Sequence, residues 1–537
     1  MVIRYRITLL LFIMTFSAAE AQINQYFIFF KDKTGTPFSI SEPSQFLSER
    51  SIARRQKQNI AITQEDLPVN PAYVSQVAAA GAIPYFTSRW WNGVLVDADA
   101  AIAGDINALP FVNGLVMVAP GKKNTSGREN ARRQKKNSSA DQPVNQIQLQ
   151  QIGLDEMHSM GYRGEEIRIA IFDSGFLGVN LSTPFSLLFT ENRIKQTFNF
   201  VNNNTVVYQA DNHGTEVLSV MAAITPGVYT GGAHKAEYLL YLTEDVSSEY
   251  RIEEYNWTFA AERADSAGAD VINSSLGYYE FDEPSMDYLK SDLNGSKAVV
   301  TRAARKAVEK GMIVVTSAGN EGGNSWKTVT PPADADGILA VGSVNSQGTL
   351  SGFSSQGPTA DNRIKPDVVA MGSATSVVKS SGVPGTASGT SLSSPLIASL
   401  AAGVLQAFPA LGAQQIYDAI INSASQASTP DNLMGYGLPH FRAITNYIES
   451  SQEEEVVSIY PNPVSGDSIQ IKLKLVSDSP LQITIYDAQG KLAEEFSEQI
   501  NWLNNPLTYD LSKLQAGLYL MQVKTGNQIA TLKFVKL

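Results

Sequence analysis

Between residues 145 and 448 the chain alternates short apolar runs with helical patterns, and this alternation constrains its fold more than any other feature. The runs at 167–172, 238–242, 270–273, 312–316 and 338–341 are rich in apolar and β-branched residues, as strands buried on both faces are. Between them, residues 215–223, 252–267 and 298–310 have helical spacing, the last stopped by Gly311. Strand and helix in turn predict an α/β domain built on a doubly wound parallel sheet. Such sheets gather their ligands beyond the carboxyl ends of the strands, so residues just after strands and at helix starts carry the most interest.

The flanks read differently. Residues 22–120 form a small α+β module, with strands at 26–30, 83–86, 93–96 and 115–118 and helical spacing over 71–80 ending at Gly81. Residues 121–144 are a basic linker in which Lys122, Lys123, Arg128, Arg132, Arg133, Lys135 and Lys136 lie among polar residues. That composition predicts a solvated stretch open to proteases. A second linker is expected at 449–456, where Glu453-Glu454-Glu455 stands. Beyond it, residues 457–537 hold short alternating strands (469–475, 481–486, 517–523 and 529–535). The last two flank the turn Lys524-Thr525-Gly526-Asn527, and the set predicts a β-sandwich.

At the amino end Arg4 and Arg6 precede an apolar run over 7–16 and then Ala19-Glu20-Ala21. This is the pattern of an export signal, residues 1–21, removed after Ala21. The run is shorter than the ~20 residues of a membrane span, and no later segment is expected to be apolar for long enough to anchor the chain. A net charge of −11 argues against a nucleic-acid binder. With no Cys there are no disulfides, no thiolate chemistry and no cysteine-bound metal, and any imidazole chemistry must come from His158, His213, His234 or His440.

Four stretches sit where chemistry is expected. The strand at 167–172 runs into Asp173-Ser174-Gly175, which places a carboxylate at its end, although Asp-Ser-Gly is also good turn chemistry. Asp211-Asn212-His213-Gly214-Thr215 opens a helix with an imidazole; most histidines so placed are structural. Ser317-Ala318-Gly319-Asn320-Glu321-Gly322 follows a strand, and the Asn amide can turn the chain or donate to an oxyanion. Gly389-Thr390-Ser391-Leu392-Ser393-Ser394-Pro395 leads into an apolar helical pattern over 396–407. Its serine sits near unpaired N–H groups and the positive end of a helix dipole, a setting for a nucleophile or for a simple N-cap.

In the order Asp, His, Asn, Ser these stretches resemble the motif set of the subtilisin-like serine peptidases (subtilases), over residues 144–448. Val271-Ile272-Asn273-Ser274-Ser275-Leu276-Gly277, Ala340-Val341-Gly342, Phe353-Ser354-Ser355-Gln356-Gly357-Pro358 and Gly435-Tyr436-Gly437 agree with it. So does Lys365-Pro366-Asp367-Val368-Val369-Ala370, with Met371 where many relatives have Pro; Glu216 replaces the usual second His after His-Gly-Thr. The resemblance implies Ser391 as nucleophile, His213 as general base and acid, and Asp173 as the carboxylate that orients the ring. It implies the Asn320 amide and the Ser391 N–H as oxyanion donors. Ser275, Leu276 and Gly277, with Ser317, Ala318 and Gly319, are then expected to line a cleft where an extended peptide pairs as an added strand. The pocket floor is expected around 327–331. Asp211 is expected to be a cap or solvated residue, and His158, His234 and His440 to be structural. Relatives often bind structural calcium through loop carboxylates; this sequence has no self-contained loop of EF-hand type, so no metal ligand is assigned and no cofactor is required for the chemistry.

Residues 22–120 are similar to the propeptides of secreted subtilases, which assist folding and block the cleft, and the basic linker is then the processing region. Tyr460-Pro461-Asn462-Pro463, the run from Ile485 to Lys491, Leu514-Gln515-Ala516-Gly517-Leu518-Tyr519 and the final Lys533-Phe534-Val535-Lys536-Leu537 resemble the carboxy-terminal sorting domain of Bacteroidetes proteins exported by the type nine secretion system. The expectation is a secreted serine endopeptidase made as a zymogen, released or held at the outer cell surface after crossing the periplasm. Its partners are protein or peptide substrates, its own propeptide and the secretion machinery. The competing class is a non-catalytic secreted binding protein on a subtilase scaffold, against which the intact set of Asp173, His213, Asn320 and Ser391 weighs.

Overall fold

The computed structural model describes residues 22–121, 145–454, 457–473, 481–498, 506–525 and 528–537. The expected export signal, the linker from 122 to 144, Glu455 and the turn residues Gly526 and Asn527 lie outside the described residues. The chain divides into two units, Met1–Pro439 and His440–Leu537.

The first unit opens with β1 (Asn24–Phe30), α1 (Glu49–Lys57), α2 (Pro71–Ala79), β2 (Ile83–Ser88), β3 (Gly93–Ala98), α3 (Ala100–Asn107) and β4 (Val112–Ala119). The strands form an antiparallel sheet in the order β2-β3-β1-β4. Alternation along β1 sets its two faces. Tyr26, Ile28 and Phe30 pack with Val77, Ile106 and Phe111 in the module's own core, while Phe27 faces the other way and stacks on Tyr255 at 4.6 Å.

The next part of this unit supplies β5 (Arg168–Asp173), β6 (Ile194–Asn199), α4 (His213–Ala222), β7 (Glu237–Leu242), α5 (Ile252–Ala267), β8 (Val271–Ser274), α6 (Val299–Glu309), β9 (Ile313–Ser317), β10 (Leu339–Val344), β11 (Val368–Met371) and α7 (Thr390–Ala407). The seven strands form one parallel sheet in the order β11-β10-β9-β8-β5-β7-β6. The chain enters in the middle at β5, fills one side with β6 and β7, then crosses to fill the other. This reversal is a topological switch point, and it opens a crevice at the carboxyl ends of β5 and β8. α7 corrects the expectation that no later segment is apolar enough to span a membrane: it is 18 residues long with a mean hydropathy of 1.2. It is also 83% buried within the protein, as the central helix of the core.

In the second unit, α8 (Phe441–Glu454) runs through most of the stretch expected as a linker. No Gly or Pro interrupts it, and Phe441, Ile444 and Ile448 form one buried stripe. Among the described residues seven strands follow: β12 (Val457–Tyr460), β13 (Ser468–Leu473), β14 (Leu481–Asp487), β15 (Leu492–Glu498), β16 (Leu507–Asp510), β17 (Gly517–Thr525) and β18 (Gln528–Lys536). They make two antiparallel sheets, β12-β13-β16 and β15-β14-β17-β18, around a shared core that includes Ile469, Ile471, Ile483, Ile485, Met521 and Phe534. The predicted β-sandwich is present.

The leading module sits on α5 through buried charge. Asp265, fully buried, meets the guanidiniums of Arg54, Arg55 (2.7 Å) and Arg89. Arg55 also reaches Asp66 at 2.9 Å, and Lys310 joins the same carboxylate at 2.9 Å. Burial pushes Asp66 up, but Arg55, the Thr63 N–H and Lys310 outweigh it and hold its pKa at about 2. The arginines of α1 serve helix ends as well. Arg50 Nε donates to Gly268 O at 2.9 Å, and Arg54 donates to the carbonyls of Ala269 and Lys310, just past the ends of α5 and α6. Helix carboxyl ends present unpaired carbonyls and the negative end of the dipole, so cations are favoured there. Replacing Asp265 by Ala leaves the buried guanidiniums of Arg54 and Arg89 without their carboxylate and Arg55 with Asp66 alone. In a Ser391→Ala background it is expected to cost the full chain about 3–5 kcal/mol, read as a fall in the denaturant midpoint; an unchanged midpoint counts against the network.

Candidate active site

Asp173 is the last residue of β5 and is fully buried, and α4 begins at His213. His213 Nδ1 lies 2.8 Å from Asp173 Oδ1. A carboxylate can only accept, so Nδ1 carries the hydrogen and Nε2 of the neutral ring is left as an acceptor. Gly214 permits the approach: a Cβ there would fall 2.4 Å from Gly175 O and 2.9 Å from Asp173 Cβ. Asp173 Oδ1 also accepts from Ser174 N at 2.8 Å and from Ser174 Oγ at 3.2 Å. The same hydroxyl lies 3.1 Å from Asp211 Oδ2. Asp211 is therefore tied to the turn after β5 rather than capping a helix or standing in solvent, and no spacing rule in the sequence shows that link. Burial disfavours a charged His213 ring. The charge and hydrogen bond of Asp173, then Asp211 and Glu216, outweigh it and raise the ring's pKa above 6.5.

Ser391 is the second residue of α7, and within the described residues its N–H has no backbone acceptor. Pro395 lies four residues on and has no N–H to give the Ser391 carbonyl. Ser275 Oγ fills that place, donating to Ser391 O at 2.8 Å. In return Ser391 Oγ donates to Ser275 O at 3.4 Å and not to the His213 ring. The hydroxyl-to-imidazole contact expected from the sequence is thus not made in this conformation. Catalytic hydrogen bonds often tighten only when substrate is bound.

Asn320 follows β9, and its Oδ1 accepts from Thr390 N (2.9 Å) and Thr390 Oγ1 (3.0 Å). These donors fix which end of the amide is oxygen and leave Nδ2 facing the other way. A Cβ built on Gly389 would lie 3.6 Å from Asn320 Nδ2, 3.8 Å from Asn320 Oδ1 and 3.8 Å from Ser391 N, so the whole Asn320 amide and the Ser391 nitrogen stand close together beside Gly389. The six residues expected to line a cleft follow β8 and β9, which are adjacent, with Ser274 opposite Thr316. Ser317 Oγ reaches Leu276 O at 3.4 Å, and Gly319 N donates to Thr390 Oγ1 at 3.3 Å. The side chains of Leu276 and Ala318 are buried in core clusters.

His158 and His234 lie elsewhere, their rings edge to face at 4.8 Å, bonded to the carbonyls of Gly232 and Gly231. Burial lowers both pKa values, that of His234 to about 4. Among the described residues one group could hold a cation: Glu244, Glu249 and Glu253, whose nearest carboxylate oxygens all lie within 4.8 Å of one another. Glu244 already accepts from Thr243 Oγ1 (2.9 Å) and Tyr278 OH (2.6 Å), and Glu253 from Asp245 N (2.9 Å). The cluster contributes no ligand to the Asp173–His213–Ser391 set.

A doubly wound parallel sheet with these groups at its carboxyl edge is the frame of a subtilisin-like serine endopeptidase. The chain belongs to the subtilase family, which residues 164–437 match. Residues 25–137 match the peptidase S8 propeptide domain of Bacteroidota, and residues 458–537 match a secretion system C-terminal sorting domain. The chain is 31% identical over 282 residues to subtilisin of Bacillus pumilus, across 52% of this chain and 90% of that one. It is 31% identical over 282 residues to subtilisin E of Bacillus subtilis, across 52% of this chain and 65% of that one. Among solved structures it is similar to the MycP3 protease from the type VII (ESX-3) secretion system, at 22% identity and a TM-score of 0.48, covering 57% of this chain and 89% of that one. The sorting domain marks an exported protein, released or held at the cell surface.

The Asp173–His213 pair predicts its own titration. By NMR the ring is expected to titrate above 6.5, and Asp173→Asn, which removes the negative charge, is expected to move the midpoint down. A midpoint unmoved by that change would mean that the carboxylate does not govern the ring.

Proposed function

We propose that the matured chain cleaves internal peptide bonds through an acyl-enzyme on Ser391. The observation that carries this reading is the closeness of Asn320 Nδ2 and Ser391 N beside Gly389. Both are donors, and their nearness to one another beside Ser391 supports their holding a tetrahedral oxyanion.

The proposed steps use these groups in turn. Rotation about the Ser391 Cα–Cβ bond moves Oγ from Ser275 O toward His213 Nε2, the ring nitrogen that can accept its proton. As Oγ attacks the peptide carbonyl, His213 becomes imidazolium beside the buried Asp173 carboxylate, which favours that charge without taking the proton. The oxyanion rests between Asn320 Nδ2 and the Ser391 N–H. Collapse breaks the C–N bond, and His213 returns the proton to the departing amine. Water then attacks the acyl-enzyme with His213 again as base, and the freed acid leaves Ser391 Oγ protonated.

The leading module fits the role of a propeptide. It covers α5 with buried charge and reaches the peptidase part through the 121–144 linker, where processing is placed. The sorting tail supplies the link to the secretion machinery, and extended segments of protein are the substrates.

A fluorophosphonate is expected to label Ser391 and to miss the Ser391→Ala variant, which should also keep residues 22–120 attached. Labelling elsewhere, or no labelling, defeats the reading. Asn320→Ala is expected to lower kcat by about 10²–10³ with KM little changed; an unaltered kcat would remove Asn320 from the oxyanion site.

A further inference from the structure

Ser174, buried in the turn after β5, stands between two carboxylates. It has one hydroxyl hydrogen to give, and its Oγ lies 3.2 Å from Asp173 Oδ1 and 3.1 Å from Asp211 Oδ2. Asp173 Oδ1 is also the atom that takes the His213 Nδ1 hydrogen, at 2.8 Å. The backbone fixes this arrangement. Leu177 N donates to Asp211 O at 3.1 Å, and Phe176 N to Val207 O at 2.9 Å. Gly175 lets the two segments touch, since a Cβ there would fall 2.3 Å from Gln209 O and 2.7 Å from Asp211 N. Asp211 is thus held against the turn that follows Asp173 and lies two residues before the ring at the start of α4.

A hydroxyl with two acceptors donates to one at a time, and its choice matters to the ring. While Ser174 donates to Asp173 Oδ1, it shares the negative charge that an imidazolium at Nδ1 needs. Among the described residues the other oxygen, Oδ2, is buried without a hydrogen-bond partner, so the competition falls on Oδ1. Once the hydroxyl turns to Asp211, Oδ1 keeps its charge for the ring. Asp211 also acts through space. Burial disfavours a charged His213, and Asp173, then Asp211 and Glu216, outweigh it. Glu216 is itself paired with Lys379 at 3.1 Å and accepts from Asn212 Nδ2 at 3.1 Å, so part of its charge is answered.

Resting on the peptidase reading of the site, we propose that Asp211 is a positioning residue for His213. It draws the Ser174 hydroxyl away from Asp173 as the ring takes the nucleophile's proton, and so reserves the inner carboxylate for the imidazolium. The Ser174 hydrogen stays on its own oxygen throughout. The proton that moves comes from Ser391 Oγ and leaves on the departing amine.

The Ser391→Ala chain allows the ring to be titrated by NMR without self-cleavage. In that chain Asp211→Asn, which keeps the size of the side chain and removes its charge, is expected to lower the His213 midpoint. Asp211→Glu, which keeps the charge, is expected to restore most of it. Ser174→Ala removes the competitor for Oδ1 and is expected not to lower the midpoint. With that hydroxyl gone, Asp211→Asn is expected to shift the midpoint less than it does in its presence. In matured enzyme with Ser391 intact, the acid limb of kcat/KM reports the same ring and is expected to move to lower pH in Asp211→Asn. The assignment of Asp211 falls if Asp211→Asn leaves the midpoint where it was, if its shift is the same with and without the Ser174 hydroxyl, or if Ser174→Ala lowers the midpoint as far. Fluorophosphonate labelling of Ser391 in the wild type keeps the peptidase reading standing through such a loss, whereas no labelling and no cleavage of any peptide defeats both.

Discussion

The first turn of α7 is short of one hydrogen bond, and the architecture of the site follows from how the shortfall is met. Pro395 cannot donate to the Ser391 carbonyl, so the hydroxyl of Ser275 does, which ties the nucleophile's turn to the end of β8. One residue earlier, Thr390 spends its N–H and its hydroxyl on the Asn320 oxygen, which ties the same turn to the end of β9. Neither clasp uses the Ser391 N–H or Asn320 Nδ2. Those donors stay available because their neighbours are committed, and the amide cannot swing round without giving up two hydrogen bonds. Preset dipoles of this kind stabilise developing charge with little reorganisation at the moment of reaction.

Much of this was legible in the sequence. Apolar runs locate five of the seven parallel strands to within about three residues, because strands buried on both faces leave few other patterns; β6 and β11, at the two edges of the sheet, are not among those runs. Asp173 and His213 stand where a strand ends and a helix begins, and their contact follows once β5 and α4 are placed. Two kinds of feature were out of reach. α1 carries arginines on its buried face, with Arg54 and Arg55 beneath the surface, so hydrophobic spacing had nothing to report. The second kind depends on packing between distant segments. Ser174 bridging Asp173 and Asp211, Ser275 answering Pro395, and Thr330 between Gly277 and Gly319 are all meetings of side chains that no local rule pairs.

The leading module bears on the same problem of distance. α5 is apolar only in part. Its Glu262, which burial pushes up in pKa, accepts from Ser88 Oγ and from the N–H groups of Arg89 and Trp90, and its Asp265 holds three arginines. Buried ion pairs contribute little net stability because desolvation consumes most of the attraction. Their value lies in geometry: a misplaced α5 would leave several charges unpaired, so only one seating of the module is tolerable. Once separated in water, each of these groups can be hydrated, so the contact is specific without being permanent.

Asp173, His213, Asn320 and Ser391 come from two strand ends and two helix starts, so the site exists only after long-range parallel pairing is complete. Parallel sheets form late and slowly, since loop closure must precede the contacts that reward it. α5 lies between β7 and β8 in the chain, at the crossing where the order of the sheet reverses. The module's arginines meet the ends of α5 and α6, the crossovers on either side of β8. Its charged contacts thus fall on the two connections that the pairing of β8 with β5 and β9 has to close, and the groups at the ends of β8 and β9 come together only with that closure.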